Sequence, residues 1–185
     1  MKRFYRVATH GFSVSLPEFH PLWQLMGNYA PFETEENDAG GFSLSLEKET
    51  VQLQSKGTFT VALGRIALAP EQEAPSVALV VFSDDFAEAA LYLTRDASRN
   101  LPLCKFALDT AAMLQFTLYS CFRNTLLMHA SVVKYRGRGY AFLGKSGTGK
   151  STHSRLWLEN IPDTSLLNDD NPVLLWEAAS FAIPK

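Results

Sequence analysis

The residues most able to do chemistry lie in one glycine-rich stretch, residues 144–151. The stretch reads Gly-Lys-Ser-Gly-Thr-Gly-Lys-Ser and satisfies the pattern G-x-x-x-x-G-K-[ST] at each fixed position. Glycines let the chain adopt positive φ angles and bring backbone N–H groups close to phosphate oxygens. In such a loop the lysine contacts the outer phosphates, and the hydroxyl after it ligates Mg²⁺. The sequence therefore predicts binding of nucleotide phosphates, with ATP and Mg²⁺ or Mn²⁺ as expected cofactors.

The residues expected to contact the nucleotide form one unbroken run. They are Gly144, Lys145, Ser146, Gly147, Thr148, Gly149, Lys150 and Ser151. The apolar residues 140–143 predict a strand before the loop, and residues 150–160 predict a helix after it. The N-terminal end of such a helix directs unsatisfied N–H groups and its dipole at the same anion. This strand–loop–helix context favours a nucleotide site over a glycine-rich turn with no ligand.

Two carboxylates, Asp169 and Asp170, follow the short apolar strand predicted at residues 165–167. Open α/β sheets bind ligands at the carboxyl ends of their strands, so this strand end is expected beside the phosphate loop. One carboxylate would then hold the metal while its neighbour accepts a proton from an incoming nucleophile. The alternative is an exposed acidic turn before Pro172. The phosphate loop upstream favours the functional interpretation.

His129 begins a third candidate region. Residues 128–135 predict a strand, and the short glycine-containing turn at residues 136–139 predicts that it pairs antiparallel with the strand that feeds the phosphate loop. That pairing would place His129 alongside the loop, although a lone histidine on a strand is also typical of a core residue. His153 lies just inside the following helix and is expected to be exposed. The two arginines of the turn, Arg136 and Arg138, are expected to face solvent.

The composition is that of a globular protein, with 46% hydrophobic and 19% charged residues. A formal net charge of -2 gives no electrostatic reason to expect nucleic acid or an anionic membrane as a partner. Polar residues interrupt both the N-terminal stretch and the most apolar segment, so neither a signal peptide nor a membrane span is predicted. A cytoplasmic location is the expectation. Cys104 and Cys121 lack metal-ligand spacing and are interpreted as reduced structural residues.

The chain is expected to form two domains, residues 1–100 and residues 101–185. The first is predicted to be strand-rich, with strands at residues 12–16, 42–46, 58–68 and 77–82 and with two acidic, solvated connections at residues 33–41 and 69–75. The second is predicted to contain a connecting helix and a partial nucleotide-binding core. The helix is predicted over residues 103–126. Because it is apolar almost all round, we expect it to be buried on more than one side.

Residues 127–133, the short turn, the phosphate loop and residues 168–170 together resemble the kinase core of HPr kinase/phosphorylase. That family carries a similar Met-His-Gly-hydrophobic strand, a short turn, a phosphate loop and an Ala-Asp-Asp segment. The loop also resembles that of ATP-dependent phosphoenolpyruvate carboxykinase, in which a Gly-Asp-Asp segment follows. The resemblance implies a shared core whose sheet topology differs from that of ordinary P-loop NTPases. The implied fold class is α+β or α/β: a strand-rich N-terminal region, a long buried helix and an incomplete core of this type.

The resemblance also implies a role for each matching residue. Lys150 would bind the β- and γ-phosphates, and Ser151 would ligate the metal. Asp169 would correspond to the base of the protein kinase, and Asp170 to a metal ligand of the carboxykinase. His129 would lie near the phosphates. The implied activity is transfer of the γ-phosphoryl group of ATP to a hydroxyl group on a protein or a small molecule.

Two other functions stay open at this point. One is a carboxykinase-like enzyme, although no second set of metal ligands and no oxaloacetate-binding arginines are evident in this span. The other is a non-catalytic nucleotide-binding or scaffold module. The resemblance covers only residues 127–173, and both families use more chain to complete the sheet. Such a core would leave apolar strands, such as residues 173–176, under-covered. We therefore expect either a C-terminally truncated sequence or a homo-oligomer in which a second copy completes the core.

Overall fold

The computed structural model describes residues 1–35 and 41–175. Its contacts divide the chain into two compact units, Met1–Ser120 and Cys121–Lys185. Both contain helices and strands, so the fold is of the mixed α+β class. None of the helices in the described ranges is both long enough and apolar enough to cross a membrane.

The first unit is built on a seven-stranded mixed sheet with the order β1-β2-β3-β7-β6-β5-β4. Strand β3 lies parallel to β2 and to β7, and the other neighbours are antiparallel. Its elements are β1 (Lys2–Val7), β2 (His10–Ser15), α1 (Leu22–Leu25), a 3₁₀ helix (Met26–Phe32), β3 (Gly41–Leu46), β4 (Phe59–Ala62), β5 (Arg65–Leu68), β6 (Ala78–Phe82), β7 (Glu88–Leu93), α2 (Arg95–Ser98) and α3 (Leu101–Cys121).

Helix α3 packs on this sheet through one face. Its buried residues recur at helical spacing and include Leu108 and Ala111, both fully buried. Near its C-terminal end, Gln115 Nε2 donates hydrogen bonds to the carbonyl oxygens of Ser43 at 3.0 Å and Phe86 at 3.1 Å. Met113 is 43% exposed, whereas most other residues of the helix are buried or half-buried.

The second unit contains a three-stranded sheet of order β10-β9-β11, one helix and a separate strand pair. Its elements are β8 (Thr125–Leu127), β9 (Ala130–Tyr135), β10 (Arg138–Leu143), α4 (Lys150–Asn160), β11 (Ser165–Asn168) and β12 (Val173–Leu175). Strand β9 is antiparallel to both neighbours, so β10 and β11 run in the same direction on either side of it. The separate pair is β8 with β12, which is also antiparallel.

Two irregularities of this small sheet affect its geometry. The β9–β10 connection is a two-residue turn in which Arg136 has φ 50° and Gly137 has φ 76°, the conformation that favours hairpins. In β11 the register shifts between Leu166, which lies opposite Val133, and Asn168, which lies opposite Val132. This β-bulge adds one residue to β11 and moves the residues that follow it by one position.

Several boundaries differ from the sequence-based expectations. Helix α3 ends at Cys121 instead of continuing to residue 126, because a turn intervenes in which Asn124 adopts φ 55° before strand β8 begins. Asparagine tolerates this left-handed conformation better than most residues. The predicted strand at residues 128–135 begins only at Ala130, as β9, and His129 lies in the short connection between β9 and the separate strand β8. The predicted strand at residues 58–68 is a hairpin of β4 and β5.

Strands β1 and β7 and helix α2 were not expected from the sequence. Helix α3, which was assigned to the second domain, belongs to the first unit because its buried face packs against the sheet. The connection at residues 69–75 has no regular structure, as expected, and is mostly exposed. Residues 36–40 of the other acidic connection and Trp176 of the last predicted strand lie outside the described residues. Cys104 is buried and Cys121 is exposed.

Candidate functional site

Three chain segments meet at one edge of the three-stranded sheet. Leu143, the last residue of β10, pairs with Ala130, the first residue of β9. Asn168, the last residue of β11, pairs with Val132 of the same strand. The loop after β10, the carboxylates after β11 and the residues before β9 therefore lie at the same edge. The antiparallel central strand produces this arrangement, because its beginning lies between the ends of its two neighbours.

The glycine-rich loop folds back on itself immediately after β10. The Lys145 carbonyl oxygen accepts hydrogen bonds from the backbone N–H of Thr148 at 3.3 Å and from Thr148 Oγ1 at 2.8 Å. Gly144 lies at φ 156°, and a Cβ atom there would be 2.7 Å from Thr148 Oγ1, so no larger residue fits without rearrangement. The backbone turn thus depends on glycine at its start and on threonine at its end.

Helix α4 begins directly after the loop with an uncapped N-terminus. Gly149 is the N-cap residue, with φ 90° and no side-chain hydrogen bond to the helix. The first helical hydrogen bond runs from the backbone N–H of His153 to the Gly149 carbonyl oxygen at 2.9 Å. The preceding helical amides of Lys150, Ser151 and Thr152 lack an acceptor in the helix. Such amides, together with the helix dipole, favour an anionic ligand.

The side chains of Lys150, His129 and Asp170 form a continuous chain of contacts. Lys150 Nζ lies 2.9 Å from His129 Nε2, and His129 Nδ1 lies 3.1 Å from Asp170 Oδ1. An ammonium group can only donate, so Nε2 must be the acceptor and Nδ1 must hold the proton that faces Asp170. Asn171 Nδ2 donates to the other carboxylate oxygen at 2.8 Å. The histidine therefore links the loop lysine to the second carboxylate.

Asp169 is held by a different set of contacts. Its Oδ1 accepts a hydrogen bond from Ser131 Oγ at 2.5 Å, and Ser131 Oγ lies 2.5 Å from Ser154 Oγ on helix α4. The bulge in β11 makes this pairing possible, because it places Asn168 opposite Val132 and so brings Asp169 level with Ser131. The first carboxylate is thereby joined to both the central strand and the helix.

Backbone hydrogen bonds fix the segments that carry these side chains. The N–H of Ala130 donates to the carbonyl oxygen of Asp170 at 3.0 Å, and the N–H of Met128 donates to the carbonyl oxygen of Pro172 at 3.0 Å. The N–H of Asp170 donates to Asn168 Oδ1 at 2.9 Å, which closes a local turn after β11. Residues on both sides of His129 are therefore tied to the segment that carries the two carboxylates.

The other residues singled out in the sequence are placed differently. Ser146 and Ser151 are exposed on the loop and at the start of α4. His153 is exposed, as expected, and lies edge-on to the Phe142 ring with centroids 4.5 Å apart. Arg136 is exposed in the turn, and its guanidinium lies 5.0 Å from the centre of the Tyr135 ring. These positions give His153 and Arg136 no contact with the carboxylates.

An open cleft of about 500 Å³ lies beside the phosphate loop. It is lined by Ala141, Phe142, Leu143, Gly144, Thr148, Gly149, Lys150 and His153. No group of three or more His, Cys, Asp or Glu side chains in the described ranges forms a metal site by itself. Mg²⁺ is commonly held by one or two carboxylates together with substrate phosphates. Asp170 carries a carboxylate of that kind, and Ser151 at the start of α4 carries a hydroxyl oxygen that could complete such a site.

Two polar residues of the site were not identified from the sequence, Ser131 and Ser154. Both are buried, and buried hydroxyl groups nearly always have hydrogen-bond partners. Ser131 also follows His129 by two positions, which places both residues on the same side of an extended chain. The spacing of His129 and Ser131 could have indicated that Ser131 belongs to the site. It could not have indicated that the Ser154 hydroxyl on α4 is its partner.

Comparison with known proteins identifies no family for this chain. No protein-family model matches it, and no matching relative was found among curated proteins.

Proposed function

We propose that the chain binds Mg·ATP through residues 144–151 and acts as a phosphotransferase of the HPr kinase-like type. The observation that carries this proposal is the meeting of the glycine-rich loop, Lys150, His129 and both carboxylates at one sheet edge. The separations are 2.9 Å between Lys150 and His129 and 3.1 Å between His129 and Asp170. Within the three-stranded sheet, the loop and the carboxylates follow strands of the same direction, as expected for ligand binding at carboxyl ends.

Lys150 is well placed to exchange its present contacts for phosphate oxygens. Besides His129, its Nζ contacts the carbonyl oxygens of Gly144 at 2.9 Å and Lys145 at 3.1 Å, both in the loop that would surround the phosphates. Hydrogen bonds between two charged groups are stronger than those to neutral carbonyls. We therefore expect Lys150 to turn from the loop carbonyls to the β- and γ-phosphates of a bound nucleotide.

The two carboxylates support a division of roles. Asp170 and Ser151 would hold Mg²⁺, which would neutralise charge on the phosphates. Asp169 would accept the proton of the acceptor hydroxyl while that oxygen bonds to the γ-phosphorus and the bond from the γ-phosphorus to the bridging β-γ oxygen breaks, leaving ADP. In phosphoryl transfer, positioning and electrostatic stabilisation supply most of the rate.

A paired binding and turnover experiment tests this proposal. ADP formation from Mg·ATP is measured with water as the acceptor, in the wild-type protein and in the Asp169→Asn variant. We expect the variant to bind Mg·ATP with an affinity within a few-fold of wild type and to lose about 10²- to 10⁴-fold in turnover, the usual contribution of a general base. Asp163→Asn makes the same chemical change at an exposed position of the second unit and serves as the matched control.

The outcomes separate the candidate functions. Equal loss of turnover in the Asp163→Asn control would contradict the assignment of Asp169 as the base. Tight Mg·ATP binding without detectable ADP formation in the wild-type protein would instead support a non-catalytic nucleotide-binding module.

A further inference from the structure

We propose that Ser131 and Ser154 are positioning residues for Asp169, acting as a buried pair of hydroxyl groups that fixes the orientation of its carboxylate. This inference rests on the proposed function, since it assigns a purpose to the geometry of the expected base. It goes beyond that function because neither serine belongs to the phosphate loop or to the carboxylate pair.

The two hydroxyl groups are unusually well enclosed for polar groups of so small a unit. Ser131 is 0% exposed and Ser154 is 1% exposed. Their oxygen atoms lie 2.5 Å apart, and Ser131 Oγ lies 2.5 Å from Asp169 Oδ1. Burying a hydroxyl group is costly unless it is hydrogen-bonded, and these two satisfy each other and the carboxylate.

The direction of the hydrogen bonds follows from the proton count. An ionised carboxylate only accepts hydrogen bonds, so the single proton of Ser131 must point at Asp169 Oδ1. Ser131 can then only accept from Ser154, whose own proton points at Ser131 Oγ. The chain therefore runs from Ser154 through Ser131 to Asp169. Successive hydrogen bonds of this kind polarise and strengthen one another in a buried environment.

This chain connects Asp169 to the helix that carries the loop lysine. Ser154 lies one helical turn after Lys150 on α4, and Ser131 lies on the central strand β9. With Oδ1 fixed toward Ser131, the orientation of Oδ2 is also fixed, and Oδ2 is the oxygen left to accept a proton from the acceptor hydroxyl. Helix α4 therefore links the expected base, through the two hydroxyl groups, to the lysine expected to bind phosphate.

The first test is a double-mutant cycle in stability, which does not depend on turnover. The free energy of unfolding of the second unit is measured in wild type, Ser131→Ala, Asp169→Ala and the double variant. Because the two side chains share a hydrogen bond, we expect the effects of the single substitutions not to add in the double variant. Ser131→Thr keeps the hydroxyl group and should remain closer to wild type than Ser131→Ala.

The second test uses the turnover assay with water as the acceptor. Ser131→Ala should lower kcat by about tenfold to a hundredfold, the effect of losing a hydrogen bond to a charged group. Ser154→Ala acts on Asp169 only through Ser131 and should lower kcat by a smaller factor. KM for Mg·ATP should stay within a few-fold of the wild-type value, because neither serine belongs to the phosphate loop. Ser76→Ala removes another buried serine hydroxyl, which donates to the Gly57 carbonyl oxygen in the first unit, and should leave kcat unchanged.

The results distinguish failure of this inference from failure of the proposed function. Additive effects of Ser131→Ala and Asp169→Ala on stability would overturn the positioning role, whatever the protein catalyses. If Ser131→Ala does not fold, the same readouts in Ser154→Ala decide the matter. Wild-type protein that neither binds nor turns over Mg·ATP would overturn the proposed function, while non-additive effects on stability would still support the hydroxyl chain.

Discussion

The seven-stranded sheet of the first unit and the three-stranded sheet of the second unit use their residues in different ways. In the first unit, strands β3, β6 and β7 alternate buried and less buried residues, and Leu91 at the centre of β7 is fully buried. In the second unit, every residue of β11 is exposed, and Leu167 is 56% exposed. The best-enclosed side chains there include two serines, Ser131, which donates to the Asp169 carboxylate, and Ser154, which contacts Ser131. Local rules of packing are commonly broken at functional sites, which is the pattern of the second sheet.

The comparison predicts different energetic consequences for the same leucine truncation. Leu91→Ala should lower the free energy of unfolding of the first unit by about 2–5 kcal/mol, because it leaves a cavity in a packed core. Leu167→Ala should change the stability of the second unit by no more than about 0.5 kcal/mol, because its side chain is largely exposed. Denaturant unfolding of both variants, monitored for each unit, measures these values.

A large loss of stability in Leu167→Ala would contradict the comparison. It would show that β11 is covered in solution, as the sequence-based expectation of a homo-oligomer that completes the core would require. The oligomeric state of the wild-type protein, measured by sedimentation, would then identify the covering partner as a second copy or exclude one.

A smaller effect is expected from two glycines of the second unit that share a backbone conformation. Gly149 has φ 90° and Gly137 has φ 76°, and a Cβ atom at either position would meet no other atom within 4 Å. Gly149→Ala and Gly137→Ala should each cost about 1–2 kcal/mol in stability, because a left-handed conformation strains any residue with a Cβ atom. Only Gly149→Ala should also weaken Mg·ATP binding, because only Gly149 belongs to the loop.

Thermal unfolding of the two glycine variants measures the loss of stability, and nucleotide titration measures the change in affinity for Mg·ATP. Equal weakening of nucleotide binding would mean that general destabilisation of the unit, and not the loop geometry, controls affinity.

Much of the site edge was predictable because its signals are local. The loop pattern, the apolar strand before it and the helix over residues 150–160 depend on neighbouring residues, and β10 and α4 are found where they were expected. The antiparallel hairpin of β9 and β10 is confirmed. A two-residue turn with glycine at its second position is sufficient to specify such a pairing.

The remainder depends on contacts between distant residues and was not predictable. Strand β7 reads Glu-Ala-Ala-Leu-Tyr-Leu, whose first residues favour helices, but pairing with β3 and β6 on either side makes it a strand. No sequence pattern predicts the bulge at Leu167, although the bulge determines that Asp169, and not Asn168, lies beside Ser131. Ser154 likewise shows its role only once α4 is placed on β9.

The most direct test of the central claim is a calorimetric titration with Mg·ATP. Wild type is compared with Lys150→Ala and with Lys145→Ala, which removes the other lysine of the same loop. Lys145 contacts the loop through its backbone carbonyl oxygen, which the alanine substitution retains. We expect binding by the wild-type protein, near-complete loss in Lys150→Ala and a change of no more than a few-fold in Lys145→Ala. Equal affinity of wild type and Lys150→Ala would contradict the account.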